Sequence, residues 1–221
     1  MLSTVGRLTA RTGRVARIPQ RRTISTLPNN PHINVFDSDS SSYILTYLDT
    51  NPPSRKLAIG TCTAIPPTPR NFSENPHFQA ILEEVVTEYG HEDENVVSQA
   101  RALASPGGLG LLSSSEQRGL SRKGGETGAG GASSQGGAGG GGRRGWVHLS
   151  DERNPPDFGR IAWPEDILGS VEVDEEGCVV GRVQPSGTYR LLTNEGILGL
   201  SSFLRGKLVE RLKKEEVEDK A

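Results

Sequence analysis

The sequence predicts an α+β fold, in which a small antiparallel sheet packs against two or three helices and is interrupted by a disordered, glycine-rich insertion. Three observations lead to this prediction. Short apolar runs of strand length are separated by clusters of Gly, Pro, Asn and Asp, as in antiparallel strands joined by turns. Longer segments repeat apolar residues every three or four positions, as amphipathic helices do. Residues 105–145, which have predicted strands and helices on both sides, contain more than half of the chain's 28 glycines.

Residues 1–24 are typical of a mitochondrial presequence. The first 27 residues contain six arginines and no acidic residue, and the first aspartate is Asp37. On a helix most of these arginines would share one face and the apolar residues another, which is the pattern of a transit peptide. Residues 22–26 resemble the pattern at which matrix processing peptidases cut, so we expect the mature chain to begin near Ser25. The alternative is an amphipathic surface helix that belongs to the mature fold.

The predicted mature protein is acidic. The chain has 25 basic and 27 acidic residues, and removal of the six presequence arginines leaves 19 against 27, a formal charge of −8. Proteins that bind nucleic acid usually carry a basic patch, so we expect no direct nucleic-acid binding. No stretch approaches the roughly 18 apolar residues of a membrane span, and we therefore expect none.

The two cysteines give no sign of a disulfide or a metal site. Cys62 and Cys178 are far apart in the sequence and have no partners at metal-ligand spacing. We expect both to be small buried residues on strands.

Residues 30–104 are predicted to form the first part of the domain. The apolar runs at residues 43–48 and 56–62 should be the strands of a hairpin, because residues 51–54 between them have turn-forming side chains.

Two helices are predicted to follow this hairpin. The first has Asn75 as its cap and Pro76 as its first residue, repeats apolar side chains at helical spacing, and ends at Gly90. The second is predicted from about Asp93 to Ala104.

Residues 105–145 are predicted to be a flexible linker. Ordering a glycine-rich segment costs more backbone entropy than ordering other segments of the same length. Glycine also contributes little side-chain burial in return.

Residues 146–216 are predicted to form the second part of the domain, which begins with an antiparallel meander. Its expected strands are residues 146–149, 169–173, 178–183 and 188–192. A last helix should follow, capped by Ser201 or Ser202, with Leu204, Leu208 and Leu212 on its apolar face. Residues 213–216 at the end of this helix are expected to be solvated. Since the strands before the linker are too few to form a stable sheet alone, we expect one domain built from both parts.

A long polar loop connects two of the predicted strands, and three prolines and two aromatic residues indicate that it is held in one shape. Five charged residues in this loop are our candidate partner-binding residues: Asp151, Arg153, Asp157, Arg160 and Asp166. Two alternatives remain open. The arginines pair only with nearby carboxylates, or His148, Asp151, Asp157 and Arg160 form a catalytic set.

Arg153 is expected to be the more exposed of the two arginines in the loop. Its sequence neighbours are polar, whereas Phe158, Ile161 and Trp163 lie close to Arg160 in the sequence.

No common catalytic motif occurs in the sequence. The chain lacks a phosphate-binding Gly-Lys-Ser/Thr loop, a His-Glu-x-x-His pair, paired Cys-x-x-Cys motifs and a Gly-x-Ser-x-Gly elbow. We therefore expect no cofactor and no metal, and the catalytic residues of the enzyme alternative stay unassigned.

The polar loop and the strand after it resemble the C-terminal part of fungal mitochondrial proteins that have no assigned activity. Two stretches carry the resemblance: His148-Leu149-Ser150-Asp151-Glu152-Arg153-Asn154-Pro155-Pro156-Asp157-Phe158-Gly159-Arg160 and Pro164-Glu165-Asp166-Ile167-Leu168-Gly169-Ser170-Val171. The resemblance implies the mitochondrial compartment and assigns no catalytic residue.

From these observations we expect a non-catalytic, soluble protein of the mitochondrial matrix that acts in protein interaction or complex assembly. Its expected partners are an unidentified mitochondrial protein and the mitochondrial import and processing machinery. Two alternatives remain open: a small matrix enzyme that uses the loop from His148 to Asp166, and a protein associated with the mitochondrial ribosome.

Overall fold

The computed structural model describes residues 25–38, 42–104, 144–157 and 160–220, which form antiparallel strands and three helices. The strands are β1 (Ser25–Leu27), β2 (Asn30–Ser38), β3 (Ser42–Thr46), β4 (Gly60–Cys62), β5 (Phe72–Glu74), β6 (Gly145–Ser150), β7 (Ile167–Val173), β8 (Val179–Pro185), β9 (Leu192–Thr193) and β10 (Gly196–Ile197). The helices are α1 (Pro76–Tyr89), α2 (Glu94–Ala104) and α3 (Ser202–Lys220). Short 3-10 turns occupy Gly90–Glu92 and Pro164–Asp166.

The predicted α+β class is confirmed, but the strands are divided among several sheets. Strands β1 to β5 form one antiparallel sheet in chain order, β6 to β8 form a second, and β9 and β10 form a small hairpin. The predicted presequence, residues 1–24, lies outside the described residues. So does most of the predicted linker, whose last residue, Gly145, is the first residue of β6.

The first sheet contains the predicted hairpin and three strands that were not predicted. Strands β3 and β4 pair antiparallel, with Leu45 opposite Gly60. The predicted second strand is shorter than expected, although the Ile59 N–H still donates to the Leu45 carbonyl at 2.8 Å. Strand β2 was missed because Pro31 and Asp37 belong to residue types that are depleted in strands. Strands β1 and β5 have only three residues each.

Helix α1 follows the prediction at both ends. The Asn75 side-chain oxygen accepts from the His77 N–H at 3.0 Å, and Pro76 is the first helical residue. The Asn75 amide also donates to the carbonyls of Lys56 and Ala58, at 2.7 Å each. One cap therefore fixes both the start of α1 and the chain that leads into β4. The buried side chains of this helix are Phe78, Ile81, Leu82, Val85 and Val86.

The second sheet packs its inner face against α1 and α2. Its inward side chains are Val147, Leu149, Val171, Val173 and Val183, all buried. The predicted fourth strand at residues 188–192 is wrong, because the strand in this region comprises only Leu192 and Thr193, which pair with β10. The carbonyls of Arg190 and Leu191 accept hydrogen bonds from the Arg153 side chain instead.

Helix α3 packs against α1 and begins at the predicted cap, since the Ser201 hydroxyl accepts from the Leu204 N–H at 3.1 Å. Leu204, Leu208 and Leu212 are buried as predicted. The expected solvation of residues 213–216 is wrong for Glu215, which is 8% exposed. Glu215 follows Leu212 by three positions, so both side chains lie on the face of the helix that packs inward.

A single large cluster of buried apolar side chains draws on both parts of the chain. It includes Ile33 and Leu45 of the first sheet, Phe78 of α1, Val171 of the second sheet and Leu208 of α3. The elements before and after the predicted linker thus bury their apolar surfaces against each other, and this burial favours folding.

The two cysteines differ in exposure. Cys62 is buried on β4 as expected, whereas Cys178 is exposed and directly precedes β8. The expectation for Cys178 is wrong because this residue closes a turn, in which its N–H donates to the Asp174 carboxylate at 2.7 Å.

Replacement of Gly206 by alanine is expected to raise the free energy of unfolding by about 0.5 to 1 kcal/mol. Gly206 lies within α3, and apart from its chain neighbours and the backbone of the helix itself, no heavy atom of the described residues lies within 4 Å of the position that a Cβ would take. Alanine would therefore reduce the entropy of the unfolded chain without a clash in the folded one. Urea denaturation followed by circular dichroism measures the change.

Gly60→Ala is the matched control and should destabilise the protein. A Cβ at Gly60 would collide with the Ser73 carbonyl oxygen and the Phe72 ring. If both variants lost stability to the same degree, the open position assigned to Gly206 would be incorrect.

Candidate functional site

The loop between β6 and β7, residues 151–166, is closed at its base by backbone hydrogen bonds. The Asp151 N–H donates to the Asp166 carbonyl at 2.8 Å, which joins the two ends of the loop. The Glu152 N–H donates to the Gly199 carbonyl at 2.7 Å, which ties the loop to the chain just before α3. The backbone at the base of the loop is therefore anchored at two points.

Asp151 lies in the interior, and both of its carboxylate oxygens accept hydrogen bonds. One oxygen accepts from the backbone N–H groups of Arg153 and Gly199, at 2.8 Å each. The other accepts from the Tyr189 hydroxyl at 2.6 Å. Burial raises the pKa of Asp151, although Arg153 and these hydrogen bonds act in the opposite direction. The lone pairs of this carboxylate thus point toward protein donors.

Arg153 is also buried, with only 3% of its side chain exposed, so the expectation that it lies on the surface is wrong. Its Nε donates to Asp166 at 2.7 Å. Its terminal nitrogens donate to the carbonyls of Glu165 and Arg190, at 2.8 Å each, and of Leu191 at 3.3 Å. Burial lowers the pKa of Arg153, but Asp151 and Asp166 outweigh burial and the net shift is upward. The guanidinium therefore stays charged.

Asp151, Arg153 and Asp166 lie beside two buried tyrosines, Tyr47 and Tyr189. We call these five residues the Arg153 cluster. The guanidinium lies over the Tyr189 ring, 5.3 Å from its centroid. Burial raises the pKa of both Tyr189 and Tyr47, and the nearby Asp151 carboxylate raises both further. Both phenols therefore stay protonated. Within the described part of the chain, the Tyr47 hydroxyl and one Asp166 oxygen have no hydrogen-bond partner.

The structure separates the five candidate residues into two groups. Asp151, Arg153 and Asp166 come together in the interior, whereas Asp157 and Arg160 are exposed. The Arg160 N–H donates to the Asp157 carbonyl at 2.9 Å. The first group can position the loop, and only the second group can contact a partner directly.

His148 lies outside this cluster. On the outer face of the second sheet, its Nδ1 is 2.7 Å from the Ser170 hydroxyl. Burial lowers the pKa of His148. The alternative catalytic set of His148, Asp151, Asp157 and Arg160 is thus divided among the sheet face, the interior and the loop surface.

A shallow recess lies beside the loop. It encloses about 10 Å³ and is lined by Gln79, Leu82, Glu83, Val86, Leu168, Pro185, Ser186, Gly187 and Tyr189. This volume holds about one water molecule, whereas pockets for small ligands usually have several hundred Å³. The recess is therefore too small to enclose a substrate.

Two large apolar side chains project from the loop into solvent. Ile161 is 71% exposed and Trp163 is 70% exposed, while Ala162 between them is buried. The chain after Trp163 is fixed, because the Pro164 carbonyl accepts from the Thr188 hydroxyl at 2.8 Å. Sequence reasoning did not include this pair among the candidate residues. The available signal was an apolar run, residues 161–163, at the end of an otherwise polar loop.

A second charged cluster lies where α1 meets α3, around the buried Glu215. His77 at the start of α1 contacts one Glu215 oxygen at 2.5 Å, and Lys56 lies 3.3 Å from the same oxygen. Arg211 binds the other oxygen at 3.0 Å. Burial raises the pKa of Glu215, but the hydrogen bonds from His77 and Lys56 outweigh it and the net shift is downward. This carboxylate therefore links both helices to the segment before β4.

Arg153→Ala is expected to lower the free energy of unfolding by about 3 to 5 kcal/mol, because it leaves the buried carboxylates of Asp151 and Asp166 without their cationic partner. Arg160→Ala is the matched control. Since Arg160 is exposed, its loss should change stability by about 0 to 1 kcal/mol. Thermal and urea denaturation measure both. Equal, small effects of the two substitutions would contradict the buried position of Arg153.

Glu215→Gln is expected to lower stability by about 1.5 to 3 kcal/mol at pH 7, the range for hydrogen bonds to a charged group. The pKa of Glu215 is lower in the folded state than in the unfolded one. Its stabilisation is therefore complete above the ordinary carboxyl range and is lost as the pH falls through the lowered value. The difference between wild type and variant should shrink between pH 5 and pH 3.

Glu218→Gln, an exposed position on the same helix, is the control for this pH dependence and should have little effect at any pH. A difference between wild type and Glu215→Gln that stayed constant from pH 7 to pH 3 would show that the charge of Glu215 is not the source of the stabilisation.

Comparison of the chain with models of known protein families, with curated proteins and with solved structures finds no match. In the residues that the structure describes, no group of three His, Cys, Asp or Glu side chains is arranged to hold a metal ion. Within the same ranges, no helix is both long and apolar enough to cross a membrane.

Proposed function

We propose that this chain is a non-catalytic protein of the mitochondrial matrix that acts in protein interaction or complex assembly, and that residues 160–163, together with Asp157, form its contact surface. One observation carries the proposal: two large apolar side chains, Ile161 and Trp163, are about 70% exposed on a loop that a buried hydrogen-bond cluster anchors.

This combination favours binding for two reasons. Tryptophan is enriched among the residues that contribute most to protein–protein affinity, because its large ring loses much water-exposed area on contact. An anchored backbone also reduces the entropy that binding must remove, so more of the contact energy appears as affinity. Isolated apolar side chains on a surface are ordinary, but two together on an anchored loop are a reason to propose contact.

The Arg153 cluster has a positioning role in this proposal. The hydrogen-bonding atoms of Asp151 and the nitrogens of Arg153 are engaged with other parts of the chain. A general acid or base must instead reach a substrate. Asp157 and Arg160 lie at the exposed part of the loop, where charged side chains around an apolar centre give specificity more than affinity.

The mitochondrial part of the proposal rests on the sequence. The first 27 residues have six arginines and no acidic residue, and the resemblance to fungal mitochondrial proteins favours the same compartment. Processing near Ser25 would leave β1 and every other described element in the mature chain.

Affinity capture of the tagged chain from mitochondria tests this proposal. Replacement of Ile161 and Trp163 by serine together is expected to reduce the recovery of at least one specific protein about ten-fold or more. Mass spectrometry of the captured chain should place its N-terminus near Ser25.

Replacement of Trp146 and Val180 by serine is the matched control. These residues are also exposed and apolar, but they lie on β6 and β8, each opposite Glu172 of β7. Recovery should not change in this variant. If the wild type and both variants captured the same set of proteins, the proposed contact surface would be overturned. An intact Met1 on the captured chain would overturn the proposed mitochondrial location.

A further inference from the structure

We infer that β1 protects the proteolytic processing site expected near Ser25, so that the presequence is removed while β1 is not yet part of the first sheet. The inference rests on the mitochondrial location in the proposed function, because it concerns the cut that follows from that location. It adds an order of events: processing comes first, and closure of the first sheet over the site comes second.

The residues that follow the expected cut are paired with β2. Ser25 lies opposite Val35, and Thr26 lies opposite Asn34, in an antiparallel register. With the cut directly before Ser25, strand pairing begins at the scissile bond itself. A peptidase has to hold the residues on both sides of that bond in its own cleft. A backbone that is already paired along one side resists proteolysis, because the pairing must first be broken.

Burial of the Leu27 side chain also holds β1 in place. Leu27 is 4% exposed and belongs to the large cluster of buried apolar side chains, which also contains Ile33 of β2. To free the backbone after the cut, the Leu27 side chain must leave this cluster, and the loss of buried apolar area opposes that movement. The side chains of Ser25 and Thr26 are exposed, so Leu27 is the anchor within β1.

The turn between β1 and β2 is tied to a distant part of the chain. The Asn30 side-chain amide donates to the Leu198 carbonyl at 3.0 Å, across 168 positions of sequence. The Asn30 side-chain oxygen accepts from the His32 N–H at 3.2 Å. This anchor exists only when the segment before α3 is in place. Until the second part of the domain has folded, the site therefore remains accessible to a peptidase.

Local opening of β1 gives the folded chain a slower route to processing. The strand has three residues and lies at the edge of its sheet, so it can open without the rest of the sheet. Cleavage of a folded protein through such an opening follows the population of the open form. We therefore expect the folded precursor to be cut slowly, and the unfolded precursor to be cut fast.

Incubation of the full chain, Met1 to Ala221, with a purified matrix processing peptidase tests the inference, with the cut followed by mass spectrometry. Phe78→Asp supplies an unfolded reference with the same processing site, because it places a charge at a fully buried position of α1. Circular dichroism checks that this variant is unfolded. The folded wild-type precursor should be cut about thirty-fold more slowly than the reference, or slower still.

Leu27→Ala should speed the cleavage of the folded precursor about ten-fold or more, because it removes most of the side chain that keeps β1 in the core. Thr26→Ala is the matched control. Thr26 is the exposed neighbour of Leu27, and its replacement should change the rate less than about three-fold. In the Phe78→Asp background, Leu27→Ala should have no effect, since no folded β1 is left to open.

The outcomes separate this inference from the proposed location. If folded and unfolded precursors are cut near Ser25 at the same rate, the location stands and the inference is overturned. The same holds if Leu27→Ala acts equally in both backgrounds or no more strongly than Thr26→Ala, because recognition by the peptidase would then set the rate. If neither precursor is cut near Ser25, the expected processing site fails, and the inference fails with it.

Discussion

The guanidinium of Arg153 carries a fixed positive charge in the interior, and the second part of the fold is arranged around it. Removing such a charge from water costs several kcal/mol, which is recovered only when its donors are met by well-placed acceptors. Here the acceptors are the Asp166 carboxylate and the carbonyls of Glu165, Arg190 and Leu191. These groups come from two separate segments, so a single side chain holds the 3-10 turn before β7 against the chain that leads into β9.

The position of the loop follows from this constraint. Asp151 at the start of the loop binds the Gly199 N–H and the Tyr189 hydroxyl, and Pro164 near its end binds Thr188. Just before the held Pro164, Ile161 and Trp163 project into solvent while Ala162 packs inward. The buried polar residues therefore contact no partner themselves, but they determine the position of the exposed apolar side chains. This division of roles is why the proposed surface combines an interior positioning group with an exposed contact group.

Sequence reasoning succeeded where the deciding interactions are local. The cap at Asn75, the proline after it and the helical spacing of apolar residues lie within a few positions of one another, and α1 has the predicted bounds. Arg153 was misjudged because its sequence neighbours are polar, whereas its acceptors lie 12 to 38 positions away along the chain. The burial of Glu215 also depends on distant groups, His77 and Lys56. Periodicity alone cannot reveal interactions of this kind.

Native-state hydrogen exchange tests most directly whether the Arg153 cluster holds the loop. The N–H groups of Asp151, Glu152, Arg153 and Arg190 all donate within this region, at 2.7 to 3.1 Å. If the cluster is an integral part of the core, these amides exchange with the same opening free energy as the amides of β7, and they open together. Rapid exchange at these four positions while β7 stays protected would contradict the account, because the loop would then open independently of the fold that is proposed to position it.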